Sequence, residues 1–139
     1  MLKRKWLQIL CIGALLTTGC DAALTVGNRT IGVSSGNFIF TDGYLTGSYN
    51  YSIDKVWKAC EETLSAMKAS DIEKNMKIAT GSMTAVIQDD KVQINVEYVS
   101  PKQTSVSIRV GMAGNNLASQ LIHEKISANL LKKTTQEKS

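Results

Sequence analysis

Asp90-Lys91-Val92-Gln93-Ile94-Asn95-Val96-Glu97-Tyr98 is the stretch from which the fold can be read. Val92, Ile94, Val96 and Tyr98 alternate with Gln93, Asn95 and Glu97. Side chains two apart on a strand share a face, so this strand has one apolar and one polar side. A strand buried on both sides would be apolar throughout, whereas strict alternation belongs to an antiparallel sheet with one face in solvent. The pattern recurs after the turn Ser100-Pro101-Lys102-Gln103, where Val106, Ile108 and Val110 alternate with Ser105, Ser107 and Arg109. Upstream, Met83, Ala85 and Ile87 form a shorter alternating run that turns at Asp89-Asp90. Ile72, Lys74, Met76 and Ile78 read as an edge strand that breaks at Gly81.

Two helices frame these strands. Ile53, Val56, Trp57, Cys60, Leu64 and Met67 lie at offsets of three and four, which puts them on one helical face. Ser52 is placed to cap this helix, and Asp54 falls in its first turn, where the macrodipole favours a carboxylate. Leu117, Leu121, Ile122, Ile126 and Leu130 define a second helix over residues 117–131, capped by Asn115 or Asn116 after the break at Gly111 to Gly114. Before the first helix, Phe38 to Tyr51 is aromatic and β-branched with Asp42-Gly43 inside it, the signature of a strand or hairpin. The reading is an α+β domain over residues 38–131, in the order β-α-β-β-β-α. It has a four- or five-stranded antiparallel sheet with both helices on its apolar face, followed by a polar tail over 132–139. A domain of this size buries roughly 60 to 70% of the surface of its unfolded chain, enough to fold without staples.

The N-terminus has a different character. Lys3, Arg4 and Lys5 precede an apolar run from Leu7 to Leu16, and Thr17-Thr18-Gly19 precede Cys20. A bilayer-spanning helix needs about 20 apolar residues, and this run is about half that, so it reads as a signal peptide over 1–19. Leu16-Thr17-Thr18-Gly19-Cys20 resembles the bacterial lipobox, in which the Cys becomes the lipidated first residue of the mature chain. The position three before the Cys, usually Leu, is Thr17 here. Two or three acyl chains at about 0.8 kcal/mol per buried CH₂ make a stable anchor where one chain is marginal. Asp21 resembles an inner-membrane retention signal, and Ala22 weakens that resemblance, so the choice of membrane stays open. Residues 20–37, rich in Gly, Ser, Thr and Asn, read as a tether facing the periplasm.

Composition follows from this division. The whole chain of 139 residues carries 16 basic and 12 acidic side chains, a net charge of +4 that invites a nucleic-acid partner. Removing the signal leaves 13 basic against 12 acidic, and that invitation disappears. The three cysteines likewise divide into Cys11, lost with the signal, Cys20, the lipid attachment site, and Cys60, which has no intramolecular partner. One His and one Pro exclude a Cys/His zinc module and a Pro-rich repeat.

With these elements placed, the chain resembles a family of small bacterial lipoproteins, domain of unknown function 3568. Gly43-Tyr44 and Tyr51 carry the resemblance, together with Ser52-Ile53-Asp54-Lys55-Val56-Trp57-Lys58-Ala59, and Val106-Ser107-Ile108-Arg109-Val110-Gly111 leading to Gly114. It spans about Tyr44 to Leu130, with Asp89-Asp90 where the family has an Asp-Gly turn. The resemblance implies this order of elements and an envelope location, and it implies no catalytic residue.

Candidate residues for chemistry are few. His123, the only His, lies beside Glu124 without a second His in reach along the sequence, and reads as a helix histidine that is solvated or internally satisfied. Cys60 on the apolar stripe reads as a core thiol. Asp89, Asp90 and Lys91 form a charged turn without the further oxygen ligands of a calcium loop, and Gly111-Met112-Ala113-Gly114 reads as a strand-to-helix turn. No metal, cofactor or nucleic acid is expected. The polar face of the central strands is the sharper candidate: Arg109, Glu97, Asn95, Gln93, Ser107 and Ser105 share it, with Arg109 and Glu97 oriented for a cross-strand ion pair. The leading expectation is a non-catalytic, lipid-anchored envelope module that meets the membrane through Cys20 and binds an unidentified envelope protein on that face. A carrier with a pocket between helices and sheet, lined by Trp57, Met67 and Met83, is the alternative, and an enzyme is the third reading.

Overall fold

The computed structural model describes residues 38–139. The segments read as signal peptide and tether, with Cys20 between them, lie outside the described residues. The chain runs β1 (Ile39–Thr41), β2 (Tyr44–Tyr49), α1 (Ile53–Ala66), β3 (Ser70–Met76), β4 (Thr80–Ile87), β5 (Asp90–Ser100), β6 (Gln103–Val110) and α2 (Asn116–Glu137). The sheet is antiparallel throughout, in the order β1-β2-β6-β5-β4-β3. The first hairpin occupies one edge, α1 crosses to the other, and the meander β3 to β6 returns until β6 pairs with β2.

The α+β class and the single covered face agree with the alternation in the sequence, but the strand count and order do not. There are six strands, in the order β-β-α-β-β-β-β-α, rather than four or five. Asp42-Gly43 does reverse the chain, with positive φ at both residues and Thr41 paired to Tyr44, and so produces a separate strand β1. The strand read from Ile72 to Ile78 is β3, exposed along its length as an edge strand and ending at Met76, before Ile78. The turn into β5 lies one residue earlier than expected: Gln88 and Asp89 both take positive φ between the paired Ile87 and Asp90. That is the two-residue geometry whose twist suits a hairpin.

The core is built from alternate residues of the sheet and one side of each helix. Leu45, Tyr49, Met83, Ala85, Val92, Ile94, Val96, Val106, Ile108 and Val110 meet Ile53, Val56, Cys60 and Leu64 of α1 and Ile122, Ile126 and Leu130 of α2. On α1, Ile53, Val56, Cys60 and Leu64 of the expected stripe are buried, while Trp57 and, at the C-cap, Met67 are partly buried against the same core. Ser52 holds the N-cap position but makes no side-chain hydrogen bond there. Thr63, absent from the stripe, is buried, donating to the Ala59 carbonyl at 2.7 Å and accepting from Asn129 of α2 at 2.9 Å.

On α2 the sequence reading and the structure differ. Asn115 is the cap, its Oδ1 accepting from the Ala118 N–H at 3.0 Å. The helix continues past Leu131 to Glu137, pinned to α1 by Lys55 to Glu137 at 3.0 Å and Lys133 to Glu62 at 2.8 Å. Leu117 and Leu121, placed on the core side in the sequence reading, are 78% and 47% exposed. Residues advance 100° each around a helix, so Leu117 and Leu121 lie far around the cylinder from Ile122, Ile126 and Leu130. One set could face the sheet, and Ile122, Ile126 and Leu130 do.

The hairpin turn and the loop entering α2 meet backbone to backbone. A Cβ on Gly114 would stand 2.2 Å from the Gly43 carbonyl oxygen, and one on Gly43 would stand 2.9 Å from that of Ala113. Gly111 shares the left-handed conformation, but no atom lies within 4 Å of its Cβ position. Gly111→Ala is therefore expected to cost about 1 kcal/mol from backbone strain alone. Gly114→Ala should cost more than about 3 kcal/mol, because strain and backbone clash combine. Urea unfolding of the two variants checks the difference.

Candidate functional site

The open face of the sheet collects the polar residues that the alternation predicted. Gln93, Asn95 and Glu97 of β5 lie opposite Arg109, Ser107 and Ser105 of β6. The same face continues through Tyr44, Thr46 and Ser48 of β2, Ser82 and Thr84 of β4, and Glu73 and Asn75 of β3, by strict two-residue register. One row crosses the strands as Thr46, Ser107, Asn95, Ser82 and Asn75, with neighbours about 4.8 Å apart along the row. Its members are short, uncharged and able both to donate and to accept hydrogen bonds.

Within the face these groups hold one another. The Tyr44 hydroxyl donates to Gln93 Oε1 at 2.9 Å. Thr46 and Ser107 share a hydroxyl hydrogen bond of 2.8 Å, and Gln103 Nε2 donates to Ser48 Oγ at 3.0 Å. Such cross-strand bonds reduce the rotamer freedom that the side chains would otherwise lose on meeting a partner.

Arg109 and Glu97 do not pair. The register sets Arg109 opposite Gln93 and Glu97 opposite Ser105, four residues and about 13 Å along the strands. Instead Arg109 turns toward the end of the sheet. Its guanidinium lies over the Tyr44 ring at 5.5 Å and donates to the Gly111 and Met112 carbonyls. It fastens the loop that enters α2, so its first role is positioning that loop, with only part of the side chain facing solvent. In a double-mutant cycle of Arg109→Ala and Glu97→Ala, the coupling energy is expected to lie within about 0.3 kcal/mol of zero. Urea midpoints of the four proteins measure it, and a coupling near 1 kcal/mol would restore the ion pair.

The residues proposed for an internal pocket do not line one. Met83 is buried in the core, and Trp57 lies against Gly81, where a Cβ would stand 2.3 Å from its ring and 2.8 Å from Met76 Sδ. Met67 packs on the same cluster. These three side chains pack on the core and on Gly81, and a cavity of about 460 Å³ lies elsewhere, between α1 and the end of α2, lined by Tyr51, Asp54, Lys58, Leu130 and Lys133.

His123 is the internally satisfied helix histidine. It is fully buried on α2, with Nε2 2.8 Å from the Leu45 carbonyl and Nδ1 2.7 Å from the Tyr49 hydroxyl. A carbonyl only accepts, so Nε2 carries the proton and Nδ1 accepts from Tyr49. The ring rests over Gly47, whose Cβ would meet Phe38 at 2.7 Å and His123 at 3.3 Å, and Phe38 packs on it with centroids 4.9 Å apart. The sequence showed a lone His between Ile122 and Ile126 but not its partner, because Tyr49 lies 74 residues away. Tyr49's place on β2, two after Gly47 and four after Leu45, was the available signal.

Burial lowers the His123 pKa to about 4 and pushes the Tyr49 phenol far up, while the buried Cys60 thiol is pushed up to about 12. Neither the imidazole nor the thiol is placed to meet a ligand. Among the described residues, no group of three or more His, Cys, Asp or Glu is arranged to hold a metal ion.

The buried imidazole has a pH consequence. The unfolded chain binds a proton near pH 6.5 and the folded protein near 4, so the stability due to neutral His123 is complete above pH 6.5. It falls as pH drops from 6.5 to 4, by up to about 3 kcal/mol. Urea unfolding between pH 7.5 and 4 should show this loss in the native protein and a shallower one in His123→Gln.

Among the described residues, no helix is long and apolar enough to cross a membrane. No curated protein matches the chain. The model of the family described as protein of unknown function (DUF3568) matches residues 3–129. That match covers most of the proposed leader, all six strands, α1 and α2 as far as Asn129, including the glycine junction and the open face, and the chain therefore belongs to the DUF3568 family.

Proposed function

We propose that this protein is a lipid-anchored module of the bacterial cell envelope that binds a protein partner on its open sheet face. The observation that carries the reading is the face itself: six strands wide, covered by neither helix, and crossed on five of them, from β2 to β3, by a row of short neutral groups in strand register. Short hydroxyl and amide side chains order at little entropic cost and offer hydrogen bonds of both senses to a partner's polar surface. The anchor is supported by the charged, apolar and small-residue segments of 1–19 ahead of Cys20. Lipidation would hold the domain at a membrane, with residues 21–37 as the spacer. The packing of Trp57, Met67 and Met83 against the core favours surface recognition over carriage of a small ligand among those three residues.

The position of Arg109 guides the choice of test. Arg109→Glu would disturb the loop entering α2 as well as the face, so Asn95 and Ser107 are the better probes. A photo-crosslinking residue at Asn95 in intact cells is expected to give one discrete protein adduct, and a second substitution, Ser107→Arg, should reduce it at least fivefold. The same probe at Lys58, on the opposite side of the domain, should give no such adduct. No adduct at Asn95, or one indifferent to Ser107→Arg, would defeat the proposal.

A further inference from the structure

The outward side of α2 is apolar where a surface helix is ordinarily polar. Leu117, Leu121 and Leu131 are 78%, 47% and 38% exposed, and Leu117 and Leu121 stand one turn apart, directed away from the sheet. From Leu117 to Lys132 the helix carries Lys125 and Lys132 against a single acidic residue, Glu124. Neither lysine enters an ion pair among the described residues, and the same holds for Lys58 on the outward side of α1. Apolar side chains flanked by unpaired lysines on one helical surface are the arrangement that lies in the interface of an anionic bilayer.

The entry point of the chain favours a lipid occupant over others. Phe38, the first described residue, packs its ring on His123, two positions from Leu121 on α2. The segment coming from Cys20 thus joins the domain beside this helix. Seventeen residues separate Cys20 from Phe38, a span of at most about 60 Å fully extended. A surface tethered that closely to a bilayer meets it at high effective concentration, so even a weak apolar contact is occupied.

We infer that the outward side of α2, through Leu117, Leu121 and Leu131 with Lys125 and Lys132, rests on an anionic phospholipid surface. The inference depends on the lipid-anchor reading of Cys20. It sets the order of layers as bilayer, helices, sheet, with the open polar face directed away from the membrane toward a partner. The anchor and the binding face then occupy opposite sides of one domain.

The test uses the full chain, purified with its N-terminal lipid and reconstituted in vesicles of phosphatidylglycerol and phosphatidylethanolamine. Leu121→Cys and Asn95→Cys proteins are labelled with an environment-sensitive fluorophore, Cys60 being buried and unreactive. An aqueous quencher is expected to act at least threefold more slowly on the label at 121 than on that at 95. Adding Lys125→Glu and Lys132→Glu should bring the two rates together. Equal rates on chains that float with the vesicles would overturn the inference and leave the anchor standing. Failure of the chain to float would overturn both. Protection at 121 without vesicles, growing with protein concentration, would assign the surface to a second copy of the chain and overturn the lipid assignment.

Discussion

Two hydrogen bonds from the His123 ring to β2 decide how α2 lies on the sheet. Nε2 donates to the Leu45 carbonyl and Nδ1 accepts from Tyr49, so both polar atoms of a fully buried side chain are satisfied. In a dry interior an unpaired imidazole nitrogen costs about 1–3 kcal/mol, so the helix cannot rotate without exposing that cost. Ile122, Ile126 and Leu130 are turned inward with His123, and Leu117 and Leu121 are turned out as a geometric consequence. The fit extends to Gly47, where only hydrogen leaves room for Phe38 and the imidazole. Through Phe38 the same pair fixes where the chain enters the domain.

The second dependence is the junction of Gly43, Gly114, Tyr44 and Arg109. Gly43 and Gly114 allow the first hairpin turn and the loop entering α2 to touch through their backbones. Arg109 spans the junction, over the Tyr44 ring and onto the Gly111 and Met112 carbonyls. These four are among the residues that carry the family resemblance, beside Tyr51, the opening of α1 and the rest of β6. Their geometry gives them a structural meaning: they join the start of the sheet to its last helix.

The domain has two unlike sides. The sheet side is polar, its central hydroxyls and amides joined by cross-strand hydrogen bonds. The helix side carries exposed leucines and unpaired lysines. The proposed division, membrane on one side and protein partner on the other, requires no catalytic group and fits the burial of both His123 and Cys60.

Much of this was legible in local sequence. Alternation in Val92 to Tyr98 and Val106 to Val110 determined a one-sided antiparallel sheet, because side-chain direction on a strand depends only on position along it. The same rule placed Gln93, Asn95, Ser105, Ser107 and Arg109 on one face, and helical spacing located the core of α1. Tertiary structure decided what depends on distant groups. Register set Glu97 opposite Ser105 and removed its pairing with Arg109, since one strand does not encode its offset against another. Packing chose between two apolar sets on α2, and folding brought Tyr49 to a histidine 74 residues away. The packing of Trp57 on Gly81 was equally invisible beforehand, because volume is a property of facing elements. Sequence determined the faces; only the assembled core decided which groups on them are free.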